Sequence, residues 1–106
     1  DSMSSELLHL KAVLEDYKGD TLTARRDFLR ADSVYTIKIQ QVAQDSLMYG
    51  FARIEKALNL SLMQNDFRPL REEIAFYERV HSSSINGIEQ WKQISDKATY
   101  YRKMFE

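Results

Sequence analysis

An all-α fold is what this sequence predicts, and two observations predict it. Gly and Pro are scarce, three and one in 106 residues, so the chain has few places to turn. Apolar residues recur every three or four positions over long stretches, the period of an amphipathic helix. Together these predict an elongated antiparallel bundle of three helices, one short and two long, coiled-coil-like in packing and dimeric. Start and stop signals place the helices at about 4–18, 21–64 and 66–105.

Ser4 or Ser5 can cap the first segment, and Glu6 suits the positive end of the helix dipole. Leu7, Leu10, Leu14 and Tyr17 follow at 3-4-3 spacing as one apolar stripe. Lys18-Gly19-Asp20 can end this helix, with Asp20 or Thr21 capping the next; the alternative is a soft spot at Gly19 in a continuing helix. The second segment carries Ala24, Phe28, Ala31, Tyr35, Ile39 and Val42, then Leu47, Phe51, Ile54, Leu58 and Leu62. The five-residue step from Val42 to Leu47, close to Gly50, turns the buried face and predicts a kink or a change of packing partner.

Asn65-Asp66-Phe67-Arg68-Pro69 is the clearest boundary, because Pro is tolerated in a first turn. The last stripe runs Phe67, Leu70, Ile74, Tyr77, His81, Ile85, Ile88, Trp91, Ile94, Ala98, Tyr101 and Phe105. It keeps phase through Ser82-Ser83-Ser84 and Asn86-Gly87, which are poor helix formers. The unbroken phase predicts one continuous helix, about 60 Å long at 1.5 Å per residue. A first helix of about four turns cannot cover such a length. Phe67, Leu70, Ile74, Tyr77, Ile85, Ile88 and Trp91 are therefore the expected interface with a second copy or a helical partner.

Residues 1–106 make one domain. Asp1-Ser2-Met3 reads as a cloning remnant, and the C-terminus stops in mid-pattern at Glu106, so a piece of a larger protein is expected. Fifteen Lys and Arg against 16 Asp and Glu give a net charge of −1. Such a balance gives no global attraction to nucleic acid, which is not an expected partner. The absence of Cys excludes a disulfide-stapled scaffold and a thiolate metal site. No apolar run approaches the ~20 residues of a membrane span. The cytoplasm is the expected compartment, with peripheral-membrane and extracytoplasmic placements left open.

No catalytic, metal-binding or cofactor-binding constellation emerges, and no cofactor is expected. Glu78 and His81 share a helix face, but di-iron bundles need two such pairs and further carboxylates. His9 has no acidic or nucleophilic neighbour at ligand spacing. Glu72-Glu73 with Arg68 and Arg71 reads as a solvated, salt-bridged face. Asn59-Leu60-Ser61 is a formal glycosylation sequon inside a helical pattern. Arg25, Arg26 and Arg30 fall within two turns and form the candidate patch for an anionic membrane or acidic partner. The aromatics lie on the apolar stripes rather than among basic residues, which disfavours base stacking.

Asp16-Tyr17 followed by Arg25 and Phe28 resembles the second helix of BAR domains of the sorting-nexin type. Asp66-Phe67, Tyr77 and Trp91 resemble their last helix. The resemblance implies dimerisation and association with curved membranes. This chain is about half the usual length of those domains and lacks their Lys/Arg clusters at the helix tips. Trp91, Ile94, Ala98 and Arg102 resemble the last helix of a spectrin-type three-helix repeat, whose first-helix Trp is missing here.

The expected function is a non-enzymatic helical dimerisation and scaffolding module, with association to anionic membranes as an extension. The alternative is an extracytoplasmic helical sensor or ligand-binding bundle, or a spectrin-like structural repeat. Circular dichroism should report more than half helix, and a lower value would overturn the all-α assignment.

Overall fold

Helices in this chain begin where a side chain can take up the unpaired N–H groups of a first turn. In a computed structural model describing residues 3–82 and 87–106, Ser4 accepts from the Leu7 amide at 3.1 Å and opens α1 (Ser5–Tyr17). Asp20 accepts from Thr23 at 3.4 Å and opens α2 (Thr21–Gln40). Ser46 accepts from Tyr49 at 3.2 Å and opens α3 (Leu47–Gln64). The helix α4 (Arg68–Val80) starts on Pro69, with the Asp66 carboxylate accepting from the Arg68 amide at 3.1 Å. After the one-turn α5 (Glu89–Lys92), Asp96 accepts from Thr99 at 2.8 Å and opens α6 (Lys97–Phe105). No strand occurs among the described residues.

Two of the stops need left-handed backbone. Gly19 has φ +94° between α1 and α2, as Lys18-Gly19-Asp20 predicts. Asn65 has φ 51°, and the amides of Asn65 and Asp66 bond to the Leu62 and Ser61 carbonyls at 3.3 and 3.0 Å. Those bonds satisfy the carbonyls that a helix end leaves open.

Helix count and shape both differ from expectation. The predicted 21–64 helix is two helices, since the chain leaves α2 at Gln41 and re-enters at Leu47. The Val42 to Leu47 phase step falls at that break. The predicted 66–105 helix is three, interrupted after Val80 and again at Gln93–Asp96; Ser83–Asn86 lie outside the described residues. An apolar stripe keeps its phase when successive helices pack on one core, so periodicity alone does not reveal such breaks. The caps at Ser46 and Asp96 do. The longest helix has 20 residues, and the molecule measures 40 × 30 × 20 Å. Its radius of gyration of 13.6 Å lies near the ~13 Å of a compact domain this long. The fold is thus compact rather than elongated.

Contacts across neighbouring helices run in opposite directions, so α1 to α4 form an antiparallel meander. On α1 and α2, Glu6 meets Lys38 and Lys11 meets Asp27. On α2 and α3, Lys56 meets Asp32 and Asn59 meets Phe28. On α3 and α4, Arg53 meets Glu73, and Ser61 Oγ accepts from the Leu70 amide. The C-terminal α6 returns to α1: Lys97 and the Tyr101 hydroxyl both donate to Asp16, at 2.8 and 2.7 Å. The Phe105 ring stacks on Tyr17 with centroids 4.5 Å apart.

The main core gathers Val13, Phe28, Ile54, Leu58, Leu62 and Leu70 with Phe67, Ile74, Tyr77, Ile88 and Tyr101. Phe67, Leu70, Ile74, Tyr77 and Ile88 were the expected partner interface. They are at most 8% exposed inside the chain's own core, and Trp91 packs half-buried against it. Ile85 lies outside the described residues. Folding the last stripe back in short helices lets a single chain bury it, which removes the reason for a partner there.

Gly50 shows how closely α3 and α4 approach. A Cβ at this position would sit 2.6 Å from Tyr77 Cδ2, and Tyr77 is 3% exposed and stacked on Phe51. Gly50→Ala should therefore destabilise the fold by about 1–3 kcal/mol, despite the gain of about 1 kcal/mol in helix propensity. Chemical denaturation measures it, and a stabilised variant would contradict this packing.

Candidate functional site

Helix α1 is apolar on two sides, and the core takes the side that the stripe does not occupy. Leu8, His9, Ala12 and Val13 are buried. Leu7, Leu10, Leu14 and Tyr17, the expected inward stripe, are 56, 48, 40 and 41% exposed. The small Ala12 and slim Val13 let α2 approach closely, which bulky leucines would prevent. The neighbouring α2 also shows large apolar residues outward, Leu22, Leu29 and Ile37, at 84, 47 and 54%.

A charged seam lies between these two apolar rows. Its centre is Asp27, whose side chain is fully buried. Lys11 Nζ donates to Asp27 Oδ2 at 2.5 Å, Arg30 donates to Oδ1 at 2.9 Å, and Arg26 Nε lies 3.8 Å away. Burial alone would raise the Asp27 carboxyl, but Lys11, with Glu15 and Arg30 alongside, holds it at about 2. Lys11 also bonds Glu15 at 2.7 Å. Three cations against two carboxylates leave the seam positive. Lys11 sits beside Leu7 and Leu14 on α1, and Arg26 beside Leu22 and Leu29 on α2, by their i,i+3 and i,i+4 spacing.

The three arginines of the predicted patch are thus not equivalent. Arg25 is exposed. Arg26 and Arg30 lean on the buried Asp27 of their own helix, and Lys11 reaches the same carboxylate from α1.

On the other flank of α1 lies an open, groove-like cavity of about 280 Å³. Glu6 and His9 of α1, Tyr35 of α2, Glu55 of α3, Trp91 of α5 and Tyr100 of α6 line it, with Leu10 and Leu58. His9 Nδ1 is 2.9 Å from Asn59 Oδ1, and Asn59 Nδ2 donates to the Phe28 carbonyl at 2.8 Å. Because the Asn59 amide donates to Phe28, its oxygen must accept from His9, so Nδ1 carries the proton. Burial pushes the His9 imidazole below its usual range, against the opposing effects of Asn59 and Glu6. Neutral His9 therefore keeps Nε2 as a bare acceptor. Burial also raises Glu55, against the attraction of Lys38, and Tyr35 is raised by burial and by Glu55.

Sequence reading gave His9 no role and Asn59 only a sequon. Asn59 is 1% exposed, and its amide ties three helices together. Both residues fall on helix faces that look polar until the neighbouring helices are in place. His81, on the predicted stripe, packs half-buried with its ring 4.9 Å from Tyr77, and Glu78 pairs with Lys92 at 2.8 Å. No cluster of three metal-ligating side chains occurs among the described residues. In a larger groove of about 450 Å³ between α2, α3 and α4, Arg53 is paired with Glu73 and Lys56 with Asp32, and Glu72 also lines it. No described helix is long and apolar enough to cross a membrane. Comparison of the chain with protein-family profiles, curated proteins and solved structures gives no match.

Two outcomes follow for the seam. Arg30→Glu should cost about 1–3 kcal/mol by leaving a buried acceptor without its donor, while the exposed Arg25→Glu should stay within ~0.5 kcal/mol. Thermal melts compare them. Asp27 is near 3.8 when unfolded and about 2 when folded. A depressed folded value stabilises above the unfolded one and loses that contribution as pH falls through the folded one. Stability should therefore drop between about pH 4 and pH 2, and Asp27→Asn should flatten that drop; an unchanged profile would contradict the role of Asp27.

Proposed function

We propose that this chain is a non-enzymatic helical interaction module. Its docking face is the outer side of α1 and α2, and its partner is an amphipathic helix with acidic flanks. One observation carries the reading: α1 exposes four large apolar side chains at 3-4-3 spacing while its opposite side is fully packed. Burial of such a row against a second helix is the usual way a 3-4 stripe leaves water. The occupant follows from charge. The row is bordered along its length by Lys11 and by exposed Lys18, with Glu6 and Glu106 at its two ends, and the seam beyond it by Arg26 and Arg30. A second copy would bring the same positive border against itself, so an acidic partner helix suits the face better. A scaffold of this kind needs no catalytic group.

Anionic membrane is the competing occupant, since exposed leucines beside basic residues also suit a lipid surface. The 3-4-3 register, which matches a helix seam, supports protein over lipid. The test uses a fluorescent peptide with Leu at its a and d positions and Glu at e and g, and a Lys counterpart. The Glu peptide should bind saturably. Leu10→Asp with Leu14→Asp should abolish binding while circular dichroism stays unchanged, because both side chains lie outside the core and are about half exposed. Equal binding of both peptides, or binding only to vesicles rich in phosphatidylserine, would overturn the proposal. Sedimentation of the free chain as a dimer that the double variant dissolves would reassign the face to a second copy.

A further inference from the structure

The cavity between α1, α3 and the two C-terminal helices has a chemistry that the docking face does not use. Its polar lining is rich in acceptors. Glu6 and Glu55 supply carboxylates, and Lys38, ion-paired with Glu6, leaves one negative charge uncompensated among the three. The side chain of His9 is more than nine-tenths buried, and with Nδ1 committed to Asn59 its Nε2 lines the cavity without a hydrogen-bond partner. That nitrogen is open to the cavity and has no protein donor, so a donor on a ligand can meet it. Around these acceptors stand the rings of Tyr35, Trp91 and Tyr100. Aromatic faces attract cations, and a ring of them beside carboxylates is a recurring way to hold an organic ammonium. An anion would meet only repulsion from Glu6 and Glu55, and a neutral apolar ligand would strand their charges.

We propose that this cavity is a binding site for a small organic cation, a primary ammonium carried on an apolar or aromatic body. In it the ammonium donates to the Glu55 carboxylate and to His9 Nε2, and the body lies among Tyr35, Trp91 and Tyr100. Five helices contribute to the lining, α5 and α6 among them. Occupancy therefore ties the C-terminal helices to α1 and α3. The proposal stands independently of what docks on the outer face.

Trp91 is the only tryptophan, so its emission reads this cavity directly. The full chain is titrated with phenethylamine and with phenethyl alcohol, its uncharged counterpart, exciting Trp alone. The amine should give a saturable change with a Kd on the order of 1 mM or tighter, and the alcohol at least tenfold weaker binding. Glu55→Gln keeps the shape but removes the charge, and should weaken the amine at least fivefold. Should that variant fail to fold by circular dichroism, Glu6→Gln, at an exposed position, should weaken it about threefold. Equal binding of the alcohol, undiminished affinity in the charge-removing variant that folds, or no saturation by about 10 mM would overturn the proposal.

Discussion

One buried amide sets the register of this molecule. Asn59 of α3 receives the His9 ring of α1 on its oxygen and gives its nitrogen to the Phe28 carbonyl of α2. An amide this deep costs several kcal/mol if unpaired, and sliding any of the three helices by a residue would unpair it. Hydrophobic contacts tolerate such slips, because one leucine replaces another with little loss. The polar bridge does not. It also decides the His9 tautomer, and with it the character of the cavity next door.

The same register places the seam. With α1 and α2 fixed, Asp27 falls inside the contact, and Lys11 and Arg30 reach it from the rim, where their side chains are each 41% exposed. A buried carboxylate is tolerable only with such donors around it. The outward rows of leucine on both helices then border a positive strip. Stability and surface character therefore share residues here, and Arg30 serves both.

The last third of the chain adapts to what the first three helices leave open. The main core receives Ile88 and Tyr101 from segments flanking two interruptions, and α6 is drawn to the C-terminal end of α1 by Asp16 and Tyr17. A continuous helix would carry these side chains away from the core in a straight line. Short helices with caps between them return the chain to its own surface, and the buried stripe is satisfied without a second molecule.

The sequence by itself determined the helical class and the boundary at Asn65, and it offered a stop at Gly19 and caps at Ser4 or Ser5 and at Asp20 or Thr21. These depend on a few neighbouring residues and on backbone conformations that only certain residue types adopt. It also marked Phe67, Leu70, Ile74 and Tyr77 as buried, because their period is strong. Only the tertiary structure decided which of two apolar sides α1 buries, since the close approach of α2 favours Ala12 and Val13 over the leucines. It alone decided that the final stripe packs on its own chain, because stripe phase is blind to a break between helices sharing one core. And it alone gave His9, Asn59 and Asp27 their roles. Their partners on other helices lie 16 to 50 residues away in the chain, at separations where local pattern carries no information about contact.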